Sequence, residues 1–362
     1  MKEFNINKIT NKRILGRNVY KQGNESLSLF WGGAALEINV KAREVYACLS
    51  AAYEGMELWA TVEINGVSVS RFVVEREKRN YCLARNLNPE KENLITIIRD
   101  TQPLNEDSKS SFLVHSILVD DNAELCPLKP RSLTMEFIGD SLTAGEGLAG
   151  GADEMDWISL WMRASQTYAV RLAKKMDADW YTMGKSGWGL CWSWDNNRSC
   201  RMPPHYEKIC SVLPDELNKA LGGHEAWNFN NGKGSDYVII ALGTNDESGM
   251  SFNGAHPTQE RMDEIVAEVK NFLTLIRSHN PCAKIIWIWG LLKLYVVPEL
   301  IQKGVNEYKA QSSDKDVYTL ELESIDELEK LPEEKGSRGH PGAKTHQAAA
   351  EKIFKFISSV VI

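Results

Sequence analysis

Along roughly the first 125 residues, apolar positions come in short runs and not in a helical period. Ala35–Asn39 and Val45–Ala51 are two such runs. Leu58–Ile64 and Val67–Val74 are two more, joined by Asn65-Gly66. Both central residues of a type I′ turn need positive φ, so Asn-Gly between alternating runs predicts a β-hairpin. Asn93–Asp100 and Phe112–Asp120 complete the set. Several short strands at this spacing predict an all-β sandwich of jelly-roll type over residues 1–127.

The pattern changes after Cys126-Pro-Leu-Lys-Pro-Arg, where two prolines interrupt any regular element. Strands are predicted at Leu133–Gly139, Asp179–Gly184, Ser235–Leu242, Ala283–Gly290 and Asp316–Leu322. Between and after them, helices are predicted at Thr167–Met176, Gln259–His279, Pro298–Ala310 and Gly342–Val361. Strands alternating with helices mean βαβ units and a mostly parallel sheet. Near-continuous apolar strands such as YVIIAL suit a sheet covered on both faces. The second domain is therefore α/β, over residues 131–362.

Composition narrows the function. A length of 362 residues agrees with two domains, and 43% hydrophobic with 25% charged residues is ordinary globular chemistry. A formal charge of −7 argues against a nucleic-acid partner, which would need a basic face. No run approaches the roughly 18 apolar residues of a membrane span. The opening MKEFNINKITNKRILGRN has no apolar core of a signal peptide, so the expected setting is cytoplasmic. The seven cysteines are odd in number and form no CxxC pair, which agrees with free thiols. Cys191, Cys200, His205 and Cys210 crowd together at spacings that fit no zinc template, so neither metal nor cofactor is expected. A free sheet edge would admit a homo-oligomer.

Ligands of open parallel sheets bind beyond the carboxyl ends of the strands. The first strand runs out into Gly139-Asp140-Ser141-Leu142-Thr143-Ala144-Gly145-Glu146-Gly147, and the second into Gly184-Lys185-Ser186-Gly187-Trp188-Gly189. The third ends in Leu242-Gly243-Thr244-Asn245-Asp246, and Gly339-His340-Pro341 precedes the last helix. A serine in such a turn is commonly an N-cap and Asn-Asp commonly a brace. Four such pieces on one rim instead suggest a site.

Together these blocks resemble the SGNH (GDSL-type) hydrolases, and with a β-rich domain ahead the chain is most similar to carbohydrate esterase family 2. The resemblance implies a flavodoxin-like hydrolase domain preceded by a jelly roll. It also implies a serine acetylesterase that removes O-acetyl groups from plant-type (xylan or mannan) oligo- or polysaccharides through an acyl-enzyme. Ser141 and His340 would be catalytic. Ser141, Gly187 and Asn245 would form the oxyanion hole, since acyl transfer needs donors aimed at the developing charge. Asp140 and Asp246 would brace their loops.

One position departs from the family pattern: Ser337 stands where an aspartate commonly orients the histidine. A backbone carbonyl could take that place, or a carboxylate from Glu323 or Asp326 after the last strand. Glu333 and Glu334 are expected to be solvated, and His346 to be a surface or packing residue. Sugar rings stack on flat indoles, so Trp188, Trp192, Trp194 and Trp289 are candidate cleft residues, with Met155–Ala164 a candidate lid. Two readings compete: a lipase or thioesterase for longer acyl chains, and a dead hydrolase fold that binds carbohydrate.

Overall fold

Asn65 and Gly66 both hold positive φ, at 53° and 81°. They close the predicted hairpin with Ile64 opposite Val67. This is a computed structural model, and it describes residues 1–19, 25–104, 107–326 and 334–360. The hairpin belongs to the first of two units. That unit contains β1 (Lys2–Asn5), β2 (Lys12–Leu15), β3 (Leu27–Leu29), β4 (Ala35–Lys41), β5 (Val45–Ala52) and β6 (Leu58–Ile64). It continues with β7 (Val67–Val74), β8 (Arg79–Ala84), β9 (Asn93–Arg99), β10 (Ser111–Val119) and β11 (Glu124–Cys126).

Two antiparallel sheets result. One runs β1-β10-β5-β8 with β3 also on β10, and the other runs β11-β4-β9-β6-β7 with β2 on β4. Alternate side chains from both sheets, among them Leu36, Ile38, Ala47, Leu49, Val62, Ile97, Phe112 and Val114, make a single apolar core. The fold is the expected sandwich. Sequence reasoning missed β1, β2, β3, β8 and β11, most of which are too short to show a period. Buried Arg99 is held by the carbonyls of Leu29, Thr101, Gln102 and Ser110, and desolvation lowers its pKa to about 10.

The first unit takes in Met1–Pro130 and also residues 158–160 and 207–227, which include α3 (Glu216–Ala220). The two excursions are fastened by Arg71 to the Leu160 carbonyl (3.0 Å), Arg17 to that of Lys208 (2.7 Å) and Trp31 Nε1 to that of Ile209 (2.6 Å). Sequence alone had assigned them to the second domain, because nothing periodic marks such segments.

The second unit carries β12 (Leu133–Gly139), α1 (Ser141–Ala144), α2 (Tyr168–Lys175), β13 (Ala178–Gly184), β14 (Tyr237–Ala241) and α4 (Thr244–Met250). After them come α5 (Gln259–His279), β15 (Lys284–Leu291), α6 (Val297–Ser312), β16 (Val317–Ser324) and α7 (Ala343–Val360). Its five strands are all parallel, in the order β13-β12-β14-β15-β16. Counted from β12, that is 2-1-3-4-5, the flavodoxin-like order, with its switch point at β12. Gly139 lies level with Gly184 and Ala241, so the segments beginning at Asp140, Lys185 and Leu242 leave the sheet along one edge.

His346, in α7, is fully buried and not at the surface. Its Nδ1 accepts from Tyr168 N–H at 3.2 Å, its Nε2 has no partner, and desolvation lowers its pKa to about 3. A histidine depressed below its unfolded pKa of about 6.5 leaves the unfolded chain binding the extra proton. Its contribution to stability is therefore present above pH 6.5 and lost as the pH falls from there toward 3. His346→Asn keeps an acceptor for Tyr168 and cannot charge. Between pH 6 and pH 4 the variant should gain about 2.5 kcal/mol on the parent in urea unfolding, because the slope approaches about 1.4 kcal/mol per pH unit between the two pKa values.

Candidate active site

The β12 strand ends at Gly139, and Asp140 caps the short helix α1 by accepting from Leu142 N–H at 3.0 Å. Ser141 thus occupies the first helical position, where the N–H has no helical acceptor. Its Oγ lies 3.0 Å from His340 Nε2. His340 is delivered from the opposite end of the sequence by a 3₁₀ turn, Ser337–Gly339, ahead of α7. Gly147 permits the approach: its φ is 73°, and a Cβ there would stand 2.4 Å from the Ser337 carbonyl oxygen.

The other ring nitrogen, Nδ1, faces the backbone carbonyl of Arg338 at 3.1 Å. A carbonyl can only accept, so Nδ1 carries the proton and Nε2 presents its lone pair to the serine hydroxyl. The orienting group is therefore a carbonyl. Neither carboxylate candidate reaches the ring: Glu323 pairs with Lys352 at 2.8 Å on the outside of β16, and Asp326 is exposed. Ser337 is buried with its hydroxyl toward the Gly147 carbonyl. Glu334, expected in solvent, is buried and accepts from Thr345 Oγ1 at 3.0 Å. Glu333 lies outside the described residues.

Gly187 follows β13 with φ 77°. Among the described residues, the N–H groups of Ser141 and Gly187 donate to no acceptor of the chain. Backbone donors without an acceptor are free to bind an anion. Asn245, in α4 after β14, gives Nδ2 to the Trp188 carbonyl at 2.9 Å and, at a longer 3.3 Å, to Asp140 Oδ2. The first bond locks the amide in place. The second is the longer and weaker, so the hydrogen it uses is the less committed of the two.

Two buried carboxylates support this loop cluster. Asp246 accepts from the N–H groups of Leu190 (2.8 Å), Cys191 (2.7 Å) and Trp192 (3.4 Å), which ties the Gly187 loop to α4. Desolvation raises Asp246 to about 6 and Asp140 to about 7, and the charge of Asp246 adds to the rise at Asp140.

The tryptophans divide. Trp194 is 54% exposed, lies against Gly187 and meets Phe252 edge-on at 5.7 Å. Trp192 is fully buried, with Nε1 on the Asp246 carbonyl and the Arg261 guanidinium 4.2 Å from its ring. It is a core residue, so the expectation of a cleft role is corrected. Trp188 is also buried, tilted against His205, and acts here through its carbonyl. Trp289 is half-buried and lines a small apolar pocket with Leu142, Leu242, Thr244 and Leu291.

Sequence reasoning missed Glu146 and Arg338. Glu146 is 6% exposed, with one carboxylate oxygen 3.1 Å from Arg338 Nε and the other 3.6 Å from His340 Nε2. Glu146 stands in the glycine-rich run after Ser141, and Arg338 two residues before His340. Their significance is invisible until the fold brings residues 146 and 338 together.

A serine–histidine pair at the switch point of a 2-1-3-4-5 parallel sheet is the arrangement found in SGNH-type hydrolases. The chain belongs to the GDSL-like lipase/acylhydrolase family, whose model matches residues 137–348. An acetyl xylan esterase from Butyrivibrio proteoclasticus is similar over the whole chain: 30% identity, TM-score 0.92, and 100% of this chain against 99% of that one. A family-two carbohydrate esterase from Clostridium thermocellum, solved with cellohexaose, shares the fold at TM-score 0.79 and 22% identity over 97% of this chain and 99% of its own. Among curated proteins, the cellulase/esterase CelE of Acetivibrio thermocellus is 25% identical over 89% of this chain. An acetylxylan esterase/glucomannan deacetylase of Cellvibrio japonicus is 26% identical over 51% of it. The matches span 36% and 50% of those two relatives' lengths. Among the described residues, no helix is long and apolar enough to cross a membrane, and no cluster of three His, Cys, Asp or Glu side chains could hold a metal ion.

Each N–H left without its acceptor costs about 1 kcal/mol or more. Asp246→Ala strands three, so it should lower the urea-unfolding free energy by about 3 kcal/mol or more.

Proposed function

We propose that the chain is a serine esterase that removes O-acetyl groups from acetylated plant-type oligo- or polysaccharides, of xylan or mannan type. The observation that carries this reading is the 3.0 Å contact between Ser141 Oγ and His340 Nε2 beside the free N–H groups of Ser141 and Gly187. The substrate class rests on the similarity to the acetyl xylan esterase, which extends over the whole chain.

In this mechanism Ser141 Oγ attacks the acetyl carbonyl carbon while its proton passes to His340 Nε2. The carbonyl oxygen becomes an oxyanion held by the N–H groups of Ser141 and Gly187 and by Asn245 Nδ2. The tetrahedral intermediate collapses, the C–O bond to the sugar breaks, and Nε2–H protonates the departing hydroxyl. Water then repeats the sequence on the acetyl-serine, giving up its proton to Nε2, and acetate leaves. The Arg338 carbonyl accepts from Nδ1–H throughout and keeps the ring in register. Trp194, exposed beside Gly187, offers an indole face to the sugar. We place the reaction in the cytoplasm on the strength of seven free thiols, which a reducing compartment keeps unpaired. No step calls for a metal.

Ser141→Ala should abolish acetate release from 4-nitrophenyl acetate and from acetylated xylo-oligosaccharide, with thermal unfolding unchanged and EDTA without effect on the parent. Asn245→Ala should lower kcat/KM by about 100- to 1,000-fold. Turnover by Ser141→Ala would sink the reading. Octanoate preferred over acetate esters would move the substrate to longer acyl chains, and a parent inert on every ester would revive the carbohydrate-binding reading.

A further inference from the structure

A neutral carbonyl at Nδ1 orients the imidazole but brings no negative charge to the imidazolium that forms when Nε2 takes a proton. A charge is present on the other side. Glu146 is buried, its Oε2 lies 3.6 Å from His340 Nε2, and its Oε1 accepts from Arg338 Nε at 3.1 Å. Arg338 is the residue whose carbonyl meets Nδ1, and it holds a left-handed conformation at φ 57° that an arginine rarely adopts. Three further contacts keep it there: its N–H on the Glu154 carbonyl (2.8 Å), its Nη1 on that of Met155 (3.0 Å), and its guanidinium 5.2 Å from the centre of the Trp157 ring. One residue thus offers its carbonyl to Nδ1 and its side chain to the carboxylate facing Nε2.

We infer that Glu146 and Arg338 form a positioning pair that does for His340 what a triad aspartate does elsewhere: Glu146 supplies the counter-charge to the imidazolium from the Nε2 side, and Arg338 sets its strength. This rests on the acyl-transfer reading. When the serine proton reaches Nε2, the new N–H cation lies within a few ångströms of Glu146, and an opposite charge at that range favours the protonated ring. Arg338, bound to the other carboxylate oxygen, offsets part of that charge. Asp140 lies beneath Ser141 on the β12 side, close enough for Glu146 to add to the rise of its pKa. On α7, His346 is buried and uncharged.

The pair makes opposite predictions for its two halves. The acid limb of kcat/KM reports the protonation of free His340. Glu146→Gln keeps the hydrogen bond to Arg338 but removes the charge, so the limb should move to lower pH by about half a unit or more, with kcat down several-fold and KM little changed. Arg338→Met leaves Glu146 unopposed, so the limb should move to higher pH, and Arg338→Lys should return it part of the way. A merely structural pair would lower kcat in both variants and leave the limbs where they are. Coincident limbs, or limbs displaced in the same direction, would overturn the inference.

Weakly active variants are decided without turnover. In a Ser141→Ala background, the ring-proton titration of His340 is assigned by its loss in His340→Asn and should show the same opposed shifts. Unmoved titrations there reject the inference. Failure of the underlying reading looks different, because the parent itself would then hydrolyse no ester or Ser141→Ala would remain active.

Discussion

The hydrogen bond from His340 Nδ1–H to the Arg338 carbonyl decides which nitrogen faces Ser141, and the geometry of the site follows from it. A main-chain acceptor selects one tautomer as a carboxylate does, though through a weaker bond, provided the backbone is rigid. Rigidity is costly here because Arg338 sits at positive φ. The surrounding structure pins it at both its backbone N–H and its side chain. Strain of this kind survives only where neighbours over-determine the conformation, and it tends to collect at functional sites.

The remaining parts are positioned by hydrogen bonds that run between loops. The Gly187 loop has no regular structure of its own, yet three of its N–H groups converge on Asp246, and Asn245 reaches back to Trp188. Asp140 caps α1 and faces the same amide. Three strand ends are therefore tied to one another through buried carboxylates that burial alone would tend to protonate. In the proposed reaction, a preorganised polar cluster such as this serves to stabilise the transition state. The aromatic residues follow the same division of labour. Trp192 packs and braces, while Trp194 is left open to the solvent beside the glycine.

Much was legible in the amino-acid order. The Asn-Gly hairpin, the shift from period two to strand–helix alternation, and the four blocks around Ser141, Gly187, Asn245 and His340 are local patterns, and local patterns survive in one dimension. The sandwich and the parallel sheet follow from them because a half-buried strand and an amphipathic helix each admit few ways to cover an apolar face. The free N–H group at residue 141 follows too, since a strand-to-helix turn leaves its first donors unpaired.

Tertiary structure alone decided what lies across long sequence separations. Glu146 and Arg338 are 192 residues apart. No periodicity links them. The choice of a carbonyl over Glu323 or Asp326 depended on where a short 3₁₀ turn sets one backbone oxygen. The fates of Trp192 and Trp194 depended on which indole the Asp246 loop encloses. Two excursions at residues 158–160 and 207–227 joined the sandwich through single side chains that carry no sequence signature. Secondary structure is written in neighbours along the chain, whereas counter-charges, burial and loop docking belong to neighbours in space, which only the folded chain brings together.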